Sequence, residues 1–223
     1  MAKVFLSPSN QYDNVYAYGN TTEGVQCGKI ADACKIALER SGVDVMLMHD
    51  ESMQEKCAAS NAFDADLHVP IHTNAFNGKV MGTRLFCYSA DGKGMAACKA
   101  IYARLAPITP GDSENIQVNA DYYEVRVPAA PTAYIECEFH DTVEGAKWIV
   151  ENTVLIGETI ARGICDYFGV KFVEKPKPVE PEKKDVLYRV QIGAYKIKAN
   201  AEKRQAEAKA AGFTDAFIVT VEQ

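Results

Sequence analysis

Several features that would point to other classes of protein are missing from this sequence of 223 residues. No apolar stretch is long enough to cross a membrane. No pair of cysteines has the C-x-x-C spacing of thiolate metal sites, and the seven cysteines lie apart from one another, which favours buried, reduced thiols over a disulfide framework. There is no dense basic segment either. Residues 1–170 carry a formal charge of −9 and residues 171–223 one of +3, so nucleic acid is not an expected partner.

The amino terminus lacks the long apolar region and the cleavage site of a signal peptide, because Met1–Leu6 leads directly into a strand pattern. We therefore expect synthesis as a cytoplasmic product without membrane insertion, unless an export signal precedes this sequence. A hydrophobic content of 48% with 24% charged residues is ordinary for a globular protein. The length is sufficient for one medium domain and a small second one.

The patterns that are present alternate between strand and helix. Strands are expected at Lys3–Leu6, Asp44–Met48, Leu67–His72, Val80–Tyr88, Tyr122–Val127 and Thr132–Phe139, and helices at Gly24–Arg40, Ser52–Phe63, Gly94–Leu105 and Glu144–Phe168. Strands separated by helices at this spacing imply right-handed crossovers. Residues 1–173 are thus predicted to form an α/β domain, with a mostly parallel twisted sheet and helices on both faces.

A change of composition marks the end of this domain. Residues 174–185 are rich in proline and charge, which predicts an extended linker. Beyond it, residues 186–223 contain strand patterns at Leu187–Ile192 and Ala216–Val221 and a helical pattern at Ala199–Ala211. These predict a small βαβ piece.

Polar side chains capable of metal binding or proton transfer follow two of the apolar strands. His72 ends the run Leu67–Ile71, and Glu136 follows Thr132–Ile135. In parallel sheets, functional sites gather at the carboxyl ends of the strands. Glu23, at the start of the first helix, is a third candidate. Taken singly, each has an ordinary structural explanation: a hydrogen-bonded histidine, or a glutamate that favours a helix N-terminus.

Taken together, the order of these residues resembles the zinc-dependent N-acetylmuramoyl-L-alanine amidases. The resemblance rests on Glu23, on Ile71-His72-Thr73-Asn74-Ala75, and on Pro131 followed by Ile135-Glu136 and Phe139. It implies an α/β fold of the phosphorylase/hydrolase type and cleavage of the amide between N-acetylmuramic acid and L-alanine in peptidoglycan. It also implies that Glu23 and His72 bind Zn²⁺ and that Glu136 is the catalytic acid and base.

One position departs from the family pattern. The first strand is expected to end in a Pro-Gly-His motif that supplies the first zinc ligand, but Asn10 stands in place of that histidine. Neutral amides are poor zinc ligands beside imidazole. His140, four residues after Glu136, is the best replacement; its alternative is a loop histidine bonded to Asp141. Gln11 or a second water are the other options.

The remaining candidates are three residues for substrate binding and one histidine of the core. Asn10, Asn74 and Arg126 are candidate substrate-binding residues near the expected cleft, although solvated surface roles fit Asn74 and Arg126 equally well. His68 has i, i+4 spacing to His72, but in a strand four residues span ~13 Å. His68 is therefore predicted to be a buried, hydrogen-bonded histidine rather than a ligand of the same ion.

The C-terminal segment Val190-Gln191-Ile192-Gly193-Ala194-Tyr195 resembles the first half of a SPOR domain. That resemblance implies binding to peptidoglycan glycan strands stripped of their stem peptides; a simple terminal tether is the alternative. The chain as a whole is predicted to be a cell-wall lytic amidase of the endolysin or autolysin kind, acting on the wall after release or export. The rival hypotheses are a non-catalytic wall-binding module and a different metallopeptidase on the same sheet.

Overall fold

The computed structural model describes residues 1–114, 116–175 and 188–221, which form two compact units, Met1–Pro176 and Lys177–Gln223. The first unit contains strands β1 Lys3–Pro8, β2 Asp44–Leu47, β3 Leu67–Asn74, β4 Arg84–Cys87, β5 Gln117–Val118 and β6 Tyr134–Phe139. Its helices are α1 Glu23–Arg40, α2 Met53–Ala62, α3 Lys93–Leu105, α4 Tyr123–Arg126 and α5 Val143–Phe168, with a 3₁₀ turn at Ala106–Ile108. Helix α6, Lys198–Ala210, belongs to the second unit.

The six strands form one sheet in the order β2-β1-β3-β6-β4-β5. All neighbouring pairs are parallel except β4 and β6, which are antiparallel. The predicted α/β fold with a mostly parallel sheet is therefore confirmed. Strands β3 and β6 lie at the centre, so the carboxyl end of each has a neighbouring strand on both sides.

One face of this sheet is apolar. Alternate residues of the central strands point to it, and they join the hydrophobic core as Val4, Leu6, Leu67, Val69, Ile71, Ile135 and Cys137. Residues of α1, α3 and α5 complete the same core. Small residues allow close approach within this layer: a Cβ built on Gly157 of α5 would lie 2.4 Å from the carbonyl oxygen of Ile30 in α1.

The opposite face of the sheet is also buried, and we call it the polar face because it carries polar groups beside rings such as Phe5, which stacks on His68. It carries Ser7, His68, His72 and Glu136, all with less than a tenth of their surface exposed. Helices α2 and α4 cover part of it: Lys56 of α2 donates to the carbonyl oxygen of Pro8 at 2.6 Å, and α4 contacts α2. This division of the sheet into an apolar and a polar face sets the position of the functional groups.

Two strand predictions in the first unit were wrong in detail. Within the strand predicted at Tyr122–Val127, residues Tyr123–Arg126 form the short helix α4, in which Glu124 turns inward to accept a hydrogen bond from Ser7 and to meet His68. Buried polar contacts of this kind override local β-propensity. The strand predicted at Val80–Tyr88 is limited to Arg84–Cys87, since Gly82 adopts a φ of 113° that ends the extended run.

In the second unit, the predicted helix is present as α6, but residues 188–192 and 216–221 form no strand in the part of the chain that the structure describes. Tyr188, Val190 and Val221 are more than three-quarters exposed there, and a strand without a paired neighbour has no ladder of hydrogen bonds to hold it. Most of the predicted linker, residues 174–185, lies outside the described residues. Among those that are described, no helix is long and apolar enough to cross a membrane.

Candidate active site at the carboxyl ends of the central strands

The sheet brings His72 and Glu136 side by side. They are direct partners in the parallel register between β3 and β6, and each is 8% exposed. The register shifts just after this pair, between His72 and Asn74, where the two strands approach their ends. An imidazole and a carboxyl group therefore share the polar face near the carboxyl ends of β3 and β6, inside these strands rather than directly after them.

Glu23 reaches the same point from the start of α1. Its Oε1 accepts a hydrogen bond from Nδ1 of His72 at 2.9 Å, and its Oε2 accepts one from Nδ2 of Asn14 at 2.7 Å. Gln11 donates a longer bond of 3.5 Å to Oε1. The carboxylate is only 2% exposed, so these amides and the imidazole replace its water.

The pKa values of Glu23 and His72 shift in the directions of an ion pair. Burial favours the neutral carboxyl, but the hydrogen bond and charge of His72, with the bond from Asn14, lower the pKa of Glu23 overall. Burial also favours neutral imidazole, but the bond to Glu23 and the charges of Glu136 and Glu23 raise the pKa of His72. The site thus prefers a negative carboxylate beside a positive group.

Glu136 differs from Glu23 because its carboxyl is not neutralised by hydrogen bonds. Its Oε2 is buried and has no hydrogen-bond partner. Burial, with a smaller contribution from the charge of Glu23 and against the opposing effect of His72, raises the pKa of Glu136 to about 8. A buried carboxyl with a raised pKa beside another titratable pair is a frequent mark of an acid/base catalyst.

Aromatic rings line the side of the site next to His72. Tyr134 stacks on the imidazole of His72 with ring centroids 4.7 Å apart, Tyr122 packs on Tyr134 at 5.1 Å, and Phe86 packs on Tyr122 at 5.2 Å. Tyr122 is 36% exposed and is therefore the ring that faces solvent. We call Tyr134, Tyr122 and Phe86 the aromatic wall.

His140 lies directly after β6 but has its own partners. Its Nδ1 is 2.9 Å from Oγ1 of Thr73, which is also 2.8 Å from the hydroxyl of Tyr16, and its ring stacks on that of Tyr16 at 4.9 Å. Burial lowers its pKa in spite of the nearby charges of Glu23 and Asp141. Asp141 instead accepts from the backbone amides of Phe76 and Gly78.

The three candidate substrate residues lie in different surroundings. The Nδ2 of Asn10 donates to the carbonyl oxygen of Glu51 at 3.0 Å. Asn74 ends β3, and its Oδ1 accepts from the next backbone amide at 2.8 Å. Arg126 is exposed on α4. Their roles in substrate binding stay predictions.

The residues at this site fit a divalent metal through two protein ligands. Carboxylate and imidazole are zinc ligands, and Glu23 and His72 already meet, with a buried and unpartnered carboxylate oxygen beside them. In the described residues, no set of three ligand atoms within 4.8 Å of one another includes His140 with this pair. His140 as the third ligand stays a prediction, and its Nε2 is the atom left for a metal, because its Nδ1 is bonded to Thr73.

Several residues of the site were not found by sequence reasoning. Asn14, Tyr16 and Tyr122 lie in segments without a regular element, and Thr73 and Tyr134 belong to strands where a polar or aromatic residue is unremarkable. Their importance comes from contacts between segments far apart in the chain. The parallel register is the one signal that could place Tyr134 near His72, because Tyr134 lies two residues before Glu136 on the same side of β6.

The fold and these side chains define a class: an α/β protein that brings two carboxyl groups and an imidazole together near the carboxyl ends of parallel strands. A family model described as N-acetylmuramoyl-L-alanine amidase matches residues 11–166, and a SPOR domain model matches residues 171–222. The chain belongs to the N-acetylmuramoyl-L-alanine amidase family, and the predicted resemblance to these amidases and to the SPOR domain is confirmed.

Individual relatives agree with this assignment. The chain is 26% identical to the sporulation-specific N-acetylmuramoyl-L-alanine amidase of Bacillus subtilis (strain 168), over 98% of this chain and 85% of that protein. It is 25% identical to the N-acetylmuramoyl-L-alanine amidase CwlM of Bacillus licheniformis, with the same coverage. The catalytic domain of the amidase CwlV from Bacillus (Paenibacillus) polymyxa var. colistinus has the same fold, with a TM-score of 0.69 at 18% identity over 77% of this chain and all of that domain.

Proposed function

We propose that this peptidoglycan amidase hydrolyses the bond between N-acetylmuramic acid and L-alanine in a zinc-dependent reaction. The observation that carries the proposal is the contact between Glu23 and His72 beside the buried, unpartnered carboxyl of Glu136. A carboxylate–imidazole pair and a separate acid/base are the protein groups that metal-assisted amide hydrolysis requires.

In this proposal Glu23 and His72 hold the ion, and Glu136 moves the proton. Zinc supplies Lewis acidity, which polarises a carbonyl group and makes a water molecule acidic near neutral pH. Glu136 takes the proton of the attacking water and returns it to the leaving amine. The free Oε2 of Glu136 is the atom available for that transfer, and a nearby cation favours the ionised carboxylate that a base needs.

Asn14 is proposed to position Glu23. Its side-chain amide occupies Oε2 of Glu23 and leaves Oε1, the oxygen that already faces His72, for the metal. Hydrogen bonds to ligating carboxylates orient them and are a general part of metal sites. His140 remains the candidate third ligand, with Gln11 or water as alternatives.

Substrate is proposed to enter along the aromatic wall. Tyr122 exposes a ring at the edge of the site, and such a ring offers an apolar surface for a sugar together with a hydroxyl group. The product of the reaction is a glycan strand without stem peptides, and we propose that the SPOR domain binds that product. We also propose that the chain, synthesised in the cytoplasm, acts on the wall after release or export, as an endolysin or autolysin does.

A second function, that of a wall-binding module without catalysis, is favoured by one observation. Asn10 replaces the expected histidine, and its side chain is bonded to the carbonyl oxygen of Glu51 rather than turned to the Glu23–His72 pair. Loss of one ligand weakens a metal site that keeps only two others.

Metal content and wall hydrolysis of the purified chain separate these functions. We expect zinc in the wild type, loss of turbidity in wall suspensions, and release of free amino groups of L-alanine without new reducing ends. Glu136→Ala is expected to keep its zinc and lose activity, whereas His72→Ala loses both. His49→Ala is the matched control, because this histidine is exposed and pairs with Asp32 outside the site.

Two results would contradict the proposal. A wild-type protein that binds no zinc and releases no amino groups, while still sedimenting with cell walls, supports the binding module. Release of peptide fragments with a new terminus other than L-alanine supports a different metallopeptidase.

The assignment of the third ligand has its own test: unchanged zinc content in His140→Ala shows that His140 is not the third ligand.

A further inference from the structure

We propose that the polar face of the sheet carries a second, buried site for a divalent metal of the zinc type, formed by the thiol of Cys57, the imidazole of His68 and the carboxylate of Glu124. This site is separate from the active site and does not depend on the proposed reaction. Its role is structural: it joins α2 and α4 to β3.

The three side chains come from three elements and meet in one place. Cys57 lies on α2, His68 on β3 and Glu124 on α4. One ligand atom of each lies within 4.8 Å of the others, and no other group of three or more His, Cys, Asp and Glu residues does so in the described parts of the chain. Nε2 of His68 and Oε1 of Glu124 are 3.2 Å apart.

These separations are close to those of a real coordination shell. Ligands at about 2.0–2.3 Å from a tetrahedral zinc ion lie roughly 3.3–3.8 Å from one another. The His68–Glu124 pair, at 3.2 Å, already has such a separation, and the other two pairs lie within 4.8 Å. With three protein ligands, a water molecule would complete a tetrahedral shell.

The chemistry of the donors favours zinc over calcium or magnesium. Sulfur and imidazole nitrogen suit zinc and related transition metals, whereas the alkaline-earth ions prefer oxygen alone. Cys57 binds as a thiolate after releasing its proton to solvent. The thiolate, the carboxylate and a doubly charged cation then sum to zero, which removes the cost of burying uncompensated charge.

Glu124 accepts a hydrogen bond from Ser7, but two buried polar atoms beside the cluster have no partner. Nδ1 of His68 is buried without a partner, and so is Oγ of Ser60, one turn after Cys57 on α2. Buried polar atoms without partners cost about 1–3 kcal/mol each. The buried residues of α2 are Lys56, Cys57 and Ser60, so this helix has little apolar surface to hold it to the sheet. A metal would add an attachment to the bond that Lys56 makes with Pro8.

The position of His68 separates the new site from the active site. His68 and His72 are four residues apart in β3, which corresponds to ~13 Å along an extended strand. His68 faces Glu124, whereas His72 faces Glu23. One histidine therefore serves each site, and a single ion cannot bridge both.

Cobalt binding to the full chain tests the proposal, because thiolate-bound Co²⁺ gives a charge-transfer band in the near ultraviolet that nitrogen and oxygen ligands do not give. We expect this band when Co²⁺ is added to the metal-free wild type and to His72→Ala, and its loss in Cys57→Ser. Cys165→Ser is the matched control, because this buried cysteine belongs to the apolar core and its loss leaves the band unchanged.

The outcomes distinguish this site from the active site. Absence of the band in the folded wild type, or its persistence in Cys57→Ser, overturns the second site whatever the activity of the enzyme. If Cys57→Ser does not fold, Glu124→Gln serves instead, with an expected loss of at least about tenfold in Co²⁺ affinity measured by the same band. An unchanged affinity in that variant also refutes the proposal.

Discussion

The raised pKa of Glu136 leads to a prediction that joins stability to function. Replacement of Glu136 by glutamine keeps the shape of the side chain and removes its charge. We expect Glu136→Gln to abolish hydrolysis and to make the metal-free protein more stable than the wild type at pH 8. The reason is that the wild-type fold keeps this buried carboxyl, one of whose oxygens has no partner, in its protonated form, whereas the unfolded chain ionises it freely.

The size of the expected difference in stability follows from the pKa of Glu136 in the folded and unfolded states. Burial moves the pKa of Glu136 from an ordinary value of 4.5 to about 8. Below pH 4 the carboxyl is protonated in both states and the substitution changes little. Between pH 4.5 and 8 the Glu136 carboxyl binds more protons in the folded state than in the unfolded state, so its contribution to wild-type stability falls as pH rises. At about 1.36 kcal/mol for each pH unit, the difference reaches at most roughly 5 kcal/mol at pH 8.

Urea unfolding of both proteins in a chelator, at pH values from 4 to 9, measures this difference. Glu151→Gln is the control, since Glu151 is exposed on α5 with only a weak i, i+4 partner in Lys147 and its substitution is expected to change stability by less than about 0.5 kcal/mol. If wild type and Glu136→Gln differ by the same amount at pH 4 and pH 8, the carboxyl does not carry the shift and the reasoning is wrong.

Two further substitutions test the aromatic wall and the helical layer. Tyr122→Ala is expected to raise KM for wall fragments several-fold with little change in kcat, because it removes an exposed ring beside the site. Tyr122→Phe keeps the ring and serves as the control. A loss of activity that is confined to kcat contradicts a role of Tyr122 in substrate binding. Gly157→Ala is expected to cost about 1–3 kcal/mol of unfolding free energy, because its Cβ would lie 2.4 Å from the carbonyl oxygen of Ile30 and 2.7 Å from Cβ of Ala33. Chemical denaturation measures that loss against Val154→Ala, an exposed α5 position, and equal stability of the two variants refutes the argument from close packing.

Local patterns were sufficient for the framework of the catalytic unit. Apolar alternation and helical periodicity predicted the mostly parallel core and placed His72 and Glu136 at the carboxyl ends of two of its strands, because side-chain direction and the handedness of crossovers follow from simple rules. The structure adds that these two strands are neighbours. The helix at Tyr123–Arg126 could not be predicted, since it forms where Glu124 bonds to Ser7, more than a hundred residues earlier in the chain.

Local sequence patterns were also insufficient to predict the contacts within the site. Glu23 and His72 were found through a family resemblance, but nothing local to Asn14 shows that its amide bonds the Glu23 carboxylate. The cluster of Cys57 with His68 was not expected either, because a cysteine on one element and a histidine on another carry no shared spacing. Contacts between distant segments arise from packing, and packing is absent from short sequence patterns.

The separation between the two faces of the sheet has a consequence for how this chain can change over evolution. The apolar residues that determine folding, such as Leu6 and Ile71, lie on one face, and the reactive groups lie on the other. A substitution at a position such as Asn10, whose side chain is bonded to the carbonyl oxygen of Glu51, therefore leaves the contacts of the apolar core in place. Side chains on the polar face can be exchanged in successive steps while the apolar core of each intermediate stays unchanged.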